Sequence, residues 1–92
     1  LIRRVSVLEG AGGVGRAEES IDSELLAKTH ESYAKERNSH IADNHEGPRP
    51  FGGVGGTRRG VKCLHAHLAH RLAGGSDPVG EWVINQIAEG TA

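Results

Sequence analysis

Ninety-two residues, 36% of them hydrophobic, make one small domain or part of one. Eleven basic against 12 acidic residues, a formal charge of −1, exclude a general nucleic-acid binder, and no stretch is long and apolar enough to span a membrane. One cysteine excludes an internal disulfide and fits a reducing compartment, so a cytoplasmic protein is expected. Core-building material is thin, with one Trp, one Tyr and one Phe beside 14 Gly. A chain of this size is marginal even when well packed, so a bound ion, a partner subunit or a preceding segment is expected to add stability. The chain opens on Leu1 and holds no Met, and residues 1–92 are read as a single all-α domain, the C-terminal part of a longer protein.

Ile2, Val5 and Leu8 recur at helical spacing, and the run Gly10–Gly15 is expected to end that helix. Its glycines invite a phosphate-loop reading, but they follow a helical pattern and lack the Gly-Lys-Ser/Thr ending. Ser20 or Asp22 can cap the next helix, with Glu24 in its first turn complementing the dipole. Residues 23–42 are good helix formers, strengthened by the pairs Glu24–Lys28 and Glu31–Lys35. Leu26, His30, Tyr33, Arg37 and His40 form one stripe along this helix. The stripe is too polar for a plain core seam: either Tyr33 and Arg37 cover apolar surface with their stems, or His30, Tyr33 and Arg37 face a site.

Residues 43–60, rich in Pro and Gly, cannot form a regular helix and read as a long loop anchored by Phe51 and Val54. Residues 58–73 then gather most of the chemistry. On a helix, Val61, Leu64, Leu68 and Leu72 share one face, while Cys63, His67 and His70 share roughly the opposite one, within an arc of about 60°. A solvent face would carry Lys and Glu, so this second face is expected to be buried or to form a site. His65, at the edge of the leucine stripe, reads first as a hydrogen-bonded core histidine. Gly74-Gly75 stops the helix, and Ser76-Asp77-Pro78 starts the last one, over 78–89. Val79, Trp82, Val83 and Ile87 share its inner face, with Trp82 expected as the largest core contributor. No strand pattern appears. The fold expected is a small all-α bundle of about four helices with a long Gly/Pro-rich loop before the third.

Three chemistries fit these residues. Cys63, His67 and His70 are thiolate and imidazole donors suited to Zn or Fe, and also to Cu. Because they climb about 10 Å along one helix, an ion takes an adjacent pair most easily, completed from elsewhere by His30, His40, His45 or Glu46. The turn Gly52–Gly56 leads into Arg58, Arg59 and Lys62 at a helix start, where Gly55 and Gly56 N–H groups and three cations would favour a phosphate-bearing small molecule or other anion. Cys63 beside His67 could also act as nucleophile and base, which needs an orienting group and an oxyanion site as well.

The strings Phe51–Gly56, Gly60–Ala69 (with Lys62-Cys63-Leu64-His65-Ala66-His67) and Leu72–Gly80 resemble a bacterial, mainly actinobacterial family, the domain of unknown function numbered five-hundred-and-one. Val5–Glu9 and His30–Arg37 look like its upstream helices. The matching positions are Gly52, Gly53, Gly55, Gly56, Lys62, Cys63, His65, His67, Gly74, Gly75, Pro78 and Gly80, with His30, Tyr33 and Arg37 matching less specifically. The resemblance implies no established activity. It implies a preceding segment that carries cysteines, and it associates the family with a septum-formation initiator and an exopolyphosphatase-like enzyme. The reading is therefore a protein with a polar metal- or anion-binding site between the Cys63–His70 face and the His30–Arg37 stripe. Its alternative is an interaction module, a homo-oligomer or the partner of a cell-division or phosphate-metabolism protein.

Overall fold

The computed structural model describes residues 1–41 and 52–90. They form α1 (Ile2–Gly10), α2 (Gly13–Ser20), α3 (Ser23–Ser39), α4 (Leu64–Leu72) and α5 (Pro78–Ala88), with a 3-10 turn at Val54–Gly56 between α3 and α4. Among the described residues there is no strand, and no helix is long and apolar enough to cross a membrane. The chain is all-α. Phe51, His45 and Glu46 lie outside the described residues.

Where the glycine run after α1 was expected to remain loop, the structure turns once and starts α2. Gly12, at φ 84°, is the single left-handed residue of the turn, a conformation that costs glycine nothing. Gly13 is helical and buried, and a Cβ on it would stand 2.5 Å from the Leu8 carbonyl oxygen. Glycine is a poor helix former in isolation. The close approach of α2 to the end of α1, with Ala17 buried behind it, outweighs that propensity.

Local signals place the other helix starts. Asp22 caps α3, its carboxylate accepting the Leu25 N–H at 3.1 Å. Asp77 caps α5 by accepting from Val79 N–H and Gly80 N–H, both at 3.0 Å, with Pro78 at the first turn. The start of α4 differs from the sequence reading. Gly60 adopts φ 61°, and Cys63 is an extended N-cap residue at φ −146°, so the helix begins at Leu64.

One core joins the elements: Val5 and Leu8 of α1, Ala17 of α2, Leu26 of α3, Leu64 and Leu68 of α4, and Val79 and Val83 of α5, with Val61 between α3 and α4. Full burial of Leu8 and Leu64 alone is worth about 1.5–3 kcal/mol each. α4 and α5 cross tightly because Gly80 has no side chain; a Cβ there would lie 2.6 Å from Arg71 Cβ and 2.7 Å from the His67 carbonyl oxygen. Trp82 sits half-buried at the core margin, with the Arg16 guanidinium 5.9 Å from its ring centre. Leu72, the last residue of α4, is 60% exposed and does not join the core.

Candidate functional site

The first N–H groups of any helix lack an internal partner, so α4 needs an acceptor at its start. Cys63 provides no side-chain cap. The acceptor is Glu9, from the last turn of α1, whose Oε1 receives the Leu64 N–H at 2.7 Å and the His65 N–H at 3.4 Å. A carboxylate at the C-terminal end of its own helix opposes that helix's dipole; the N-terminal end of α4 offsets the conflict.

His65 meets the same oxygen through Nδ1 at 3.2 Å. Its Nε2 lies 3.2 Å from the Ile2 carbonyl oxygen and 3.3 Å from Ser6 Oγ. A carbonyl oxygen can only accept, so the Ile2 contact favours hydrogen on Nε2, whereas Ser6 Oγ can donate to a lone pair there. Nδ1 faces the Glu9 carboxylate, an approach that is favourable with a proton on that nitrogen or a metal ion between them. Cys63 joins them: among the described residues Glu9, Cys63 and His65 each bring one ligand atom to within 4.8 Å of the others, all three half-buried. Burial pushes the Glu9 carboxyl up, but the Leu64 N–H and the ring, charge and N–H of His65 outweigh it, holding the group below its ordinary 4.5.

Asp77 organises a second group. Beyond capping α5, its carboxylate accepts from His67 Nδ1 at 2.8 Å and from His70 Nδ1 at 2.9 Å, through Oδ2. All three side chains are buried, His70 retaining 7% exposure. Burial alone would raise the Asp77 carboxyl. The His67 and His70 rings and the Gly80 N–H outweigh burial, so the group titrates below its ordinary 3.8. One carboxylate thus sets both imidazoles with hydrogen on Nδ1 and the lone pair on Nε2. His67 Nε2 is buried, and no hydrogen bond reaches it among the described residues.

His30 stands beside this pair, its ring centre 5.5 Å from that of His67. Its nitrogens are engaged by backbone: Nε2 donates to the Gly60 carbonyl at 2.7 Å, and Nδ1 accepts the Val54 N–H at 3.1 Å. No lone pair remains for a metal. His30 pins the Gly-rich turn to α3, and a Cβ on Gly53 would meet its Cβ at 2.5 Å. Burial foremost, with the charges of His67 and Arg58, pulls its pKa below 6.5, against the raising effects of Gly60 and Asp77.

The four histidine and cysteine positions read from sequence as metal ligands are therefore divided. Cys63 lies with His65 and Glu9, His67 and His70 lie with Asp77, and His30 serves the backbone. At the expected anion site, Glu9 already accepts the first N–H groups of α4, and Glu18 accepts the Val61 N–H at 2.6 Å. A Cβ on Gly55 would stand 3.7 Å from the Ala66 and Lys62 Cβ atoms and 3.8 Å from that of Cys63, and Gly56 N–H is bonded to the Gly53 carbonyl. Arg58 and Arg59 line a separate cavity of about 450 Å³ together with Glu18 and Leu26. Lys62 is exposed.

Tyr33, Arg37, His40 and His70 do come together, lining a cavity of about 400 Å³ between α3 and α4. Tyr33 packs edge-on to His70 at 5.0 Å between ring centres, and the Arg37 guanidinium lies 5.7 Å from the Tyr33 ring centre while donating to the Gly52 carbonyl at 2.7 Å. Sequence reasoning missed Glu9 altogether and saw Asp77 only as a cap. A signal for Glu9 existed: a carboxylate in the wrong turn of a helix needs a positive partner from elsewhere.

A model for a family described as protein of unknown function, DUF501, matches residues 1–85. No curated protein and no solved structure matches the chain.

Proposed function

We propose that this chain, which belongs to the DUF501 family of proteins of unknown function, binds a divalent transition-metal ion through Cys63, His65 and Glu9. The observation that carries the proposal is the gathering of Glu9, Cys63 and His65 ligand atoms within 4.8 Å of one another, with His65 Nδ1 3.2 Å from the Glu9 carboxylate while Nε2 faces the Ile2 carbonyl. A metal ion in place of the proton would turn a weak, half-exposed ion pair into a coordinate site, and Cys63 supplies the thiolate. The Ile2 carbonyl would act as the outer partner that fixes the ring's tautomer and direction, as metal-bound histidines require.

Thiolate, imidazole and carboxylate together suit Zn²⁺ first and Fe²⁺ second. In a tetrahedral site with bonds of about 2.0–2.3 Å, ligand atoms stand roughly 3.3–3.7 Å apart. The three ligand atoms, within 4.8 Å of one another, would close to that spacing on binding. With three protein ligands a zinc ion held there would keep a position for water or a substrate atom and would supply Lewis acidity.

The test is metal analysis and Co²⁺ titration of protein purified without a histidine tag. Near-stoichiometric metal is expected, with a thiolate-to-cobalt charge-transfer band that disappears in Cys63→Ser and in Glu9→Gln. Glutamine keeps an oxygen for the Leu64 N–H, so Glu9→Gln tests charge and not capping. His70→Gln is expected to retain the metal; loss there would move the site to the His67–His70 face. Binding to folded protein also raises stability, by about 2.7 kcal/mol at 100 times Kd. A chain that takes up no metal under these conditions sinks the proposal.

A second reading, an interaction module, draws on α1, where Ile2 and Val7 are 75% and 54% exposed next to Leu1 at 63%. It requires self-association or partner binding that Val7→Glu abolishes while metal content is unchanged, which sedimentation would detect.

A further inference from the structure

The three side chains of the proposed metal site differ in what else holds them. Glu9 Oε1 receives the Leu64 N–H at 2.7 Å, so it caps α4 with no help from an ion. His65 Nε2 faces the Ile2 carbonyl oxygen at 3.2 Å, a contact that also runs through protein alone. Leu64 and Leu68 seat α4 on the core. An ion at this site is therefore not what joins α1 to α4, and its departure leaves both helices in place. That separates it from a closed structural zinc site, in which the ion carries the folding energy.

Cys63 is the member open to chemistry. It stands just before α4 as an extended residue, makes no capping bond through its side chain, and is half-buried, within reach of a small uncharged solute. Imidazole and carboxylate resist mild oxidants, whereas a thiolate reacts readily with peroxide. It is also the one cysteine of the chain, so no internal disulfide follows, and its first oxidation product awaits a thiol from outside.

We infer, resting on the reading that Glu9, Cys63 and His65 hold a zinc ion, that hydrogen peroxide releases this ion by oxidising Cys63. The sulfur lone pair attacks one peroxide oxygen; the S–O bond forms as the O–O bond breaks, and the departing hydroxide takes up a proton to leave as water. Sulfur loses two electrons and the peroxide gains them. The sulfenic acid has lost the thiolate charge, and Glu9 with His65 holds the ion too weakly to keep it. Reversal needs a small thiol. One molecule condenses with the sulfenic acid, expelling water and forming a mixed disulfide, and a second displaces Cys63 as a free thiol that takes up zinc again.

The experiment treats the zinc-loaded full chain with hydrogen peroxide while a chromogenic chelator reports free zinc and intact mass reports added oxygen. The chain has no Met, so the first oxygen gained reports Cys63. Zinc release in step with that oxygen is expected, with an unchanged helical spectrum and with zinc binding restored by dithiothreitol. Cys63→Asp keeps three ligands without sulfur, and the zinc it binds should stay in place under peroxide. If that variant binds none, the unaltered chain decides alone, through the match between oxygen gained and zinc freed. A chain that takes up no zinc fails the metal reading itself. Zinc that is bound yet retained after Cys63 gains oxygen, freed before it does, or freed equally from Cys63→Asp would overturn this inference and leave the metal reading standing.

Discussion

Asp77→Ala is the substitution whose cost the structure predicts most fully. The Asp77 carboxylate accepts four N–H groups, two from the backbone of α5 and one from each of two imidazoles. Loss of an N-cap costs about 1 kcal/mol. The buried His67 Nδ1–H left without an acceptor costs about 1–3 kcal/mol more, and His70, with slight solvent access, falls at the lower end of that range. The sum, taken as non-additive, is about 3–5 kcal/mol, a large part of the 5–15 kcal/mol that holds a domain folded. The assay is urea unfolding at pH 7, where such a loss moves the midpoint by more than about 1 M. Asp22→Ala supplies an internal control, because Asp22 is an exposed cap whose side chain accepts only the Leu25 N–H. If the two variants differ by less than about 0.5 kcal/mol, the imidazoles do not depend on Asp77 and the reasoning fails. The pH dependence has a definite sign. The folded carboxyl lies below its ordinary 3.8, so its contribution is complete above that pH and is lost as pH falls through the folded value.

His30 gives a different pH signature. Its folded pKa lies below 6.5, so protons bind the unfolded chain more readily. Stability should decline as pH falls from about 6.5 to the folded value and then level off. His30→Gln should flatten that decline in chemical unfolding between pH 5 and 7, with an unchanged slope counting against the assignment. The glycines of α2 make a paired prediction. Gly13→Ala places a Cβ against the Leu8 carbonyl and should cost about 1–3 kcal/mol, despite alanine's better helix propensity. Gly15→Ala meets nothing within 4 Å at a helical backbone and should stabilise by about 0.5–1 kcal/mol. Thermal unfolding of both variants decides the matter, and equal effects would refute the close approach of α2 to α1. If the proposed metal site is filled, chelation should lower the unfolding midpoint of the unaltered chain but leave Cys63→Ser unaffected, which calorimetry with and without chelator would reveal.

Asp22 as the cap of α3, Asp77-Pro78 as the start of α5, and the glycine stop after α4 were legible because each signal acts within one helical turn of the residue that carries it. Of the face expected to be buried or site-forming, His67 is fully buried, while Cys63 precedes the helix and is, like His70, only partly covered. α2 was not legible, since a glycine-rich segment has little helical preference of its own and folds only because Gly13 fits the end of α1.

The division of the Cys/His residues lies at the same boundary. Composition and spacing determined that Cys63, His65, His67 and His70 crowd one short segment with ligand chemistry. Which of them stand together was decided by Glu9, arriving from 54 residues upstream of Cys63 to cap α4, and by Asp77, turned back onto α4 by Gly74 at φ 98°. Helical periodicity reports which side chains share a face of one helix. A carboxylate brought across the core by packing leaves no trace in that period, and it alone determines which imidazole nitrogen keeps its lone pair.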